Sequence, residues 1–150
     1  MMSSAKLRVR LNLTPLADHM KHLGVRTEEV MDSWVLEAGD IGIQIMREEA
    51  PEKTGALKAS IIAYKTKPYT IKIGPTVAHA VYVELGTKPH EIAGKPILSW
   101  IDASTGKRIW ASHVHHPGTR ANPFVLATRD RICEILRDLA INKLKEAIQS

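Results

Sequence analysis

Residues 27–51 read TEEVMDSWVLEAGDIGIQIMREEAP, and the spacing inside this stretch decides the fold. Val30, Met31, Trp34, Val35, Ala38, Ile41, Ile45 and Met46 recur at three- and four-residue steps, the pattern of a helix with one buried face. Thr27 is placed to cap that helix, Glu28 and Glu29 sit at its positive end, and Pro51 forbids continuation. Gly39 and Gly42 each cost about 1 kcal/mol relative to Ala in a helix interior. Either they admit a close neighbour or one of them marks a kink.

Working outward, Leu7, Val9, Leu11 and Leu13 alternate with Arg8, Arg10 and Asn12, which predicts a strand from Lys6 to Leu13. Thr14-Pro15 opens a short helix that Gly24 closes. Beyond Pro51, Lys53-Thr54-Gly55 reads as a turn, Ala56 to Tyr64 as extended chain, and Tyr69 to Ile73 as its hairpin partner across Lys67-Pro68. Val77 to Leu85 fits both periods and is read as a short helix. Gly86 to Gly94 reads as a loop, and Ile97 to Ile101 pairs with Arg108 to His115 across the Asp102 to Lys107 turn. Asn122 is placed to cap a last helix with Pro123 in its first turn. Its apolar side is Phe124, Val125, Ile132, Cys133, Ile135, Leu136, Leu139, Ala140, Ala147 and Ile148. These elements predict one α+β domain over residues 1–150, an antiparallel sheet of roughly four to five strands packed against the long helix and a C-terminal helix.

At 150 residues the chain buries roughly 68–70% of its extended surface on folding, so a core forms without staples. A single Cys excludes an internal disulfide framework and a Cys-based zinc ribbon. The apolar runs are far shorter than the roughly 20 residues a spanning helix needs, and MMSSAKLRVR lacks the apolar core of a secretory signal. A soluble protein in a reducing cytoplasm, with no membrane partner, is the expectation. The net charge of +5 is unevenly laid out: residues 1–52 carry six bases against nine acids, and residues 53–108 nine bases against three acids. Such polarity suits head-to-tail contact with further copies, or contact with an anionic partner.

His113, His115 and His116, with His90 upstream and Glu84 or Glu91 as the nearby acid, raise the idea of a metal site. Their spacing matches no metal-ligand motif and bracing of loop carbonyls beside Pro117 and Gly118 is the competing account, so a His-site metalloenzyme stands as the third reading. There is no nucleophile elbow and no glycine-rich phosphate loop, and Cys133 falls on the apolar stripe of the last helix, where a buried, inert thiol is expected. The chain is therefore read as a non-enzyme without a cofactor. Lys65, Lys67 and Lys72 lie among Tyr64 and Tyr69, a composition suited to loose contact with DNA, the alternative reading.

Ala50-Pro51-Glu52-Lys53-Thr54-Gly55-Ala56-Leu57-Lys58-Ala59-Ser60-Ile61 resembles the AP-x-x-TG-x-L-x-x-SI segment of the gene-product-ten-like tail completion, or head-tail joining, proteins of tailed bacteriophages. Ala80 to Thr87 is similar to that family's YA-x-x-vEfGT motif, with the aromatic displaced at Val81-Tyr82 and Leu85 in place of Phe. His116-Pro117-Gly118-Thr119 and Asn122-Pro123-Phe124 are similar to its HPGT…PF motif, and Lys88-Pro89-His90 and Ile97-Leu98-Ser99-Trp100 also fit, so the resemblance runs from about Leu11 to Ile148. It implies a structural virion protein, assembled in the host cytoplasm into a ring, usually of six copies, where a tail tube meets the capsid's connector. Its implied partners are copies of itself, portal-side adaptor or stopper proteins and tail tube proteins, with DNA contact in the lumen a further possibility. On this resemblance Thr54, Gly55, Gly86 and Thr87 shape turns. Lys88, Pro89, His90 and Lys95, together with His115, His116, Pro117, Gly118, Thr119 and Arg120, face neighbouring subunits or partners.

Overall fold

The computed structural model describes residues 7–22 and 27–149. Its elements are β1 (Val9–Asn12), α1 (Thr14–His22), α2 (Thr27–Glu49), α3 (Ala56–Ala59), β2 (Ile61–Lys67), β3 (Thr70–Pro75), α4 (Ala80–Leu85), β4 (His90–Ile101), β5 (Arg108–His116) and α5 (Phe124–Gln149). The α+β class and the two long helices stand as expected. The strands, however, divide into a three-stranded antiparallel sheet, ordered β1-β3-β2, and a separate hairpin, β4-β5.

In the larger sheet Val9 lies opposite Ile73 and Leu11 opposite Ile71, so one face of β1 and β3 is wholly apolar. That face receives α2, and α5 packs beside it. Val35, Ala38, Met46, Ile71, Ile73, Phe124 and Ile132 are all 3% exposed or less and form the centre of the core. Gly39 and Gly42 are close-approach positions, not a kink. A Cβ at Gly39 would collide with Ile71, and one at Gly42 with Ile73 and Ile132. A smaller cluster of Ala17, Met20, Met31 and Trp34 seats α1 on the start of α2. At the far end of α2, Arg131 from α5 donates to Glu49 at 2.5 Å and Glu48 at 3.0 Å.

Several expectations are corrected in detail. The first strand is shorter than the Lys6 to Leu13 span, whose Lys6 lies outside the described residues, as do Gly24 and the side chain of Thr27. Ala56 to Tyr64 opens with the helical turn α3, not with extended chain. Ala, Leu and Lys are strong helix formers, Leu57 buries its side chain from that turn, and the strand begins only at Ile61. His90 to Gly94 belongs to β4 and not to a loop, because β5 continues to His116 and offers backbone partners to His90, Glu91, Ile92 and Ala93. A bulge over Gly94 to Ile97 separates this pairing from that of Leu98 to Ile101. On α5, Cys133 and Ile135 are exposed instead of buried, since only the first turns of that helix lie against the sheet. Ala147 and Ile148 lie outside the residues whose side chains are described. Among the described residues, no helix is long and apolar enough to cross a membrane.

Candidate docking arm and its anchor

Two short segments meet to hold the β4-β5 hairpin to the body. Thr87 and Thr119 exchange both backbone hydrogen bonds, at 3.0 and 3.1 Å, and their hydroxyls lie 3.1 Å apart. Gly86-Thr87, expected to shape a turn, and Gly118-Thr119, expected to face partners, are thus the two halves of one bridge. Gly86 and Gly118 precede the threonines with φ of 70° and 86°. A Cβ on Gly86 would strike the Thr119 carbonyl, and one on Gly118 the Thr87 carbonyl, so both positions demand glycine for conformation and for space.

Glu84, one residue pair upstream, is only 7% exposed although it carries a carboxylate. It accepts from the Val125 N–H at 2.9 Å and the Leu126 N–H at 3.3 Å. These donors open α5, where the helix leaves its first N–H groups unpaired and carries its positive end. The cap expected from Asn122 is supplied by Glu84 instead. Asn122 contributes its backbone, donating to the Val83 carbonyl at 2.9 Å. α4, the Gly-Thr bridge and the start of α5 therefore form one fastening.

Above the bridge, the rings of His90 and His116 stack with centroids 5.1 Å apart. His116 Nδ1 accepts from the Gly118 N–H at 3.0 Å, and His90 Nδ1 donates to the Lys88 carbonyl at 2.9 Å. On the strands, His115 Nδ1 meets Glu91 across the hairpin at 2.6 Å. Of the residues expected to face partners, the structure brings His90, His116, Gly118 and Thr119 together. Lys88, Pro89 and Arg120 are exposed beside them, Pro117 is exposed in the connection to Gly118, and Lys95 stands apart in the bulge. Thr54 and Gly55 lie elsewhere, at the turn before α3. Among the described residues, no group of three or more His, Cys, Asp or Glu is placed to hold a metal ion. A groove of about 540 Å³ opens at this base, lined in part by Tyr82, Val83, His90, Ile92, His116 and Arg120.

The hairpin itself is the larger surprise. Neither of its faces is covered: Ile97 is 56% exposed, Ile101 63% and Trp110 64%, with Trp100 and Ile109 also exposed. Leu98, Trp100, Ile109 and Ala111 share one face through their register, and Ile101, Ser99, Arg108 and Trp110 the other. At the tip Asp102 closes the turn, accepting from the Ser104 N–H at 3.0 Å and from the hydroxyls of Thr105 at 2.8 Å and Ser104 at 2.9 Å. These bonds, the Ser104 amide first, hold its carboxyl below the ordinary range. The aromatic residues of the arm were read in the sequence only as strand residues. The available signal was adjacency: Trp100-Ile101 and Ile109-Trp110 put large apolar groups on both faces of each strand, which a two-stranded ribbon cannot bury by itself.

No curated protein and no solved structure matches the chain. Residues 16–86 match the model of the HK97-gp10-like family, described as "Bacteriophage HK97-gp10, putative tail-component". The match takes in the Ala50 to Ile61 segment and ends at Gly86, so the His116 to Thr119 and Asn122 to Phe124 segments fall beyond it. The bridge that joins Gly86-Thr87 to Gly118-Thr119 ties those later segments physically to the matched region. Residues 16–86, which hold the long helix α2, strands β2 and β3 and the short helix that carries Glu84, are thus similar to the HK97-gp10-like family of bacteriophage tail components.

Proposed function

We propose that this protein is a subunit of a closed ring, of about six copies as the family resemblance implies, at the head-tail junction of a tailed phage. There it completes the tail or connects it to portal-side adaptor or stopper proteins, and it alters no bond. The observation that carries this reading is the β4-β5 arm, a projecting ribbon with Ile101 and Trp110 each more than 60% exposed. A two-stranded ribbon is marginal in water by itself, and apolar surface of this kind is covered in the working assembly by another molecule. Native mass spectrometry of the isolated protein tests the ring, with a single species of several copies expected. Lysates of phage lacking the gene test its place, with filled heads and tails accumulating unjoined. Normally joined, infectious particles from that lysate would overturn the reading.

A second reading, non-specific contact with DNA, is favoured by one observation. Arg10 and Lys72 are register partners on the solvent side of the sheet, a like-charge pair with no carboxylate partner among the described residues. Lys65, counted among the basic residues of that region, is instead engaged by Asp32 at 2.5 Å. On this reading Arg10→Glu with Lys72→Glu weakens DNA retention and flattens its salt dependence by about two counterions.

A further inference from the structure

We propose that the arm face carrying Ile101, Arg108 and Trp110 docks on the outward face of α2 in a second copy of this chain, around Leu36, Glu37 and Asp40. The inference rests on the ring reading and names the two surfaces that meet. Ile101 and Arg108 are direct register partners, Trp110 follows on the same face, and the Arg108 guanidinium lies 5.8 Å from the Trp110 ring centroid. The result is an apolar patch with a cation at its edge, and Arg108 has no carboxylate partner among the described residues.

The α2 surface is its complement. Gly39 and Gly42 turn toward the sheet, so at about 100° per residue Glu37 and Asp40 point away from it, with Leu36 beside them. Leu36 is 60% exposed. α2 carries seven acids against the single base Arg47. Asp32 is engaged by Lys65, and Glu48 and Glu49 by Arg131, whereas Glu37 and Asp40 have no ion pair among the described residues. The arm is charged the other way. From Lys88 to His116 it holds four bases against Glu91 and Asp102, and both acids are already occupied, by His115 and by the turn hydroxyls. Since the two surfaces are different parts of one chain, the contact is head-to-tail, the kind that propagates around an axis and closes into a ring.

Sedimentation velocity on the full-length chain tests this, with circular dichroism as the check on folding; every substituted residue is exposed. Wild type assembles, while Arg108→Glu with Trp110→Ala, and separately Glu37→Lys with Asp40→Lys, each sediment as monomers. Mixed together, the two variants form one-to-one dimers and no ring, because each keeps one working surface. Arg108→Glu combined with Glu37→Lys in one chain recovers assembly. If wild type assembles and the α2 variant assembles equally well, the docking assignment falls and the ring stands. If wild type itself remains monomeric at all concentrations and in low salt, the ring reading falls and this inference with it. Assembly lost in the arm variant alone places the arm on a different surface and overturns the α2 assignment.

Discussion

Glu84 shows how one side chain can decide a joint. Its carboxylate is buried, makes no ion pair among the described residues, and is stabilised by two backbone N–H donors at the positive end of α5. Glu84→Ala leaves the buried Val125 N–H and the part-buried Leu126 N–H without their acceptor, and the loss of a helix cap typically costs about 0.5–2 kcal/mol. Urea unfolding is expected to shift to a lower midpoint by an amount in that range, with Glu84→Gln falling between the two. Asp102 gives a pH-dependent counterpart at the tip of the arm. Its folded carboxyl titrates below the ordinary value of 3.8, so its contribution to the turn is complete above that value and lost as pH falls through the lower, folded one. The Ser104 amide resonance is therefore expected to move with acid along a titration whose midpoint lies below 3.8. A midpoint above that value would contradict the hydrogen-bond scheme. The threonines of the two Gly-Thr pairs carry the same lesson: their mutual contact spans 32 positions and has no local signature.

At the level of elements, the long helix was legible in full and the glycines within it were not. The periodicity of α2 follows from burial of one stripe, a local property of the sequence. Whether Gly39 and Gly42 meet a neighbour or bend the helix depends on what lies opposite, and the branched side chains of Ile71, Ile73 and Ile132 are there. Gly42→Ala gains about 1 kcal/mol of helix propensity. It also overpacks two fully buried isoleucines from different elements, a cost of about 1–3 kcal/mol. The clash wins, and a net loss of stability is expected from thermal unfolding, with the largest structural response at β3. The two sheets differ in the same way. β2 and β3 are covered by α2 and β1 is met by α5, whereas the arm is held chiefly by its own ladder and by the bridge at its base. Amides of Leu98 to Ile101 in the unassembled protein are expected to exchange faster with solvent than those of Ile71 and Ile73, and to become protected on assembly.

The whole molecule combines a self-sufficient body with an appendage. The core draws on β1, β2, β3, α2, α3, α4 and α5, and none of its buried residues comes from the arm. Replacing residues 97–110 by a short turn is therefore expected to leave a folded monomer that unfolds cooperatively near the wild-type midpoint but no longer assembles. Concurrent loss of the body fold would show that the arm is part of the core. Charge is arranged on the same scale. An acidic α2 and a basic central segment could be counted from the sequence, but only the packing showed which charges are spent inside the chain. Asp32 is matched by Lys65 and Glu48 and Glu49 by Arg131, so Glu37 and Asp40 are left outward.

The amino-acid sequence by itself determined what depends on near neighbours along the chain: the helical period of α2, the alternation in β1, the breaks at Pro51 and Gly86, and the order of motifs that pointed to a phage tail component. Tertiary structure alone decided which of those pieces touch. It separated the strands into a buried sheet and an uncovered arm, joined the two Gly-Thr segments, and made Glu84 the cap of a helix 41 residues away. The reason is that burial is a relation between segments. Alternating residues announce two faces, but whether a second layer lies over either of them is settled only when the chain has folded back on itself.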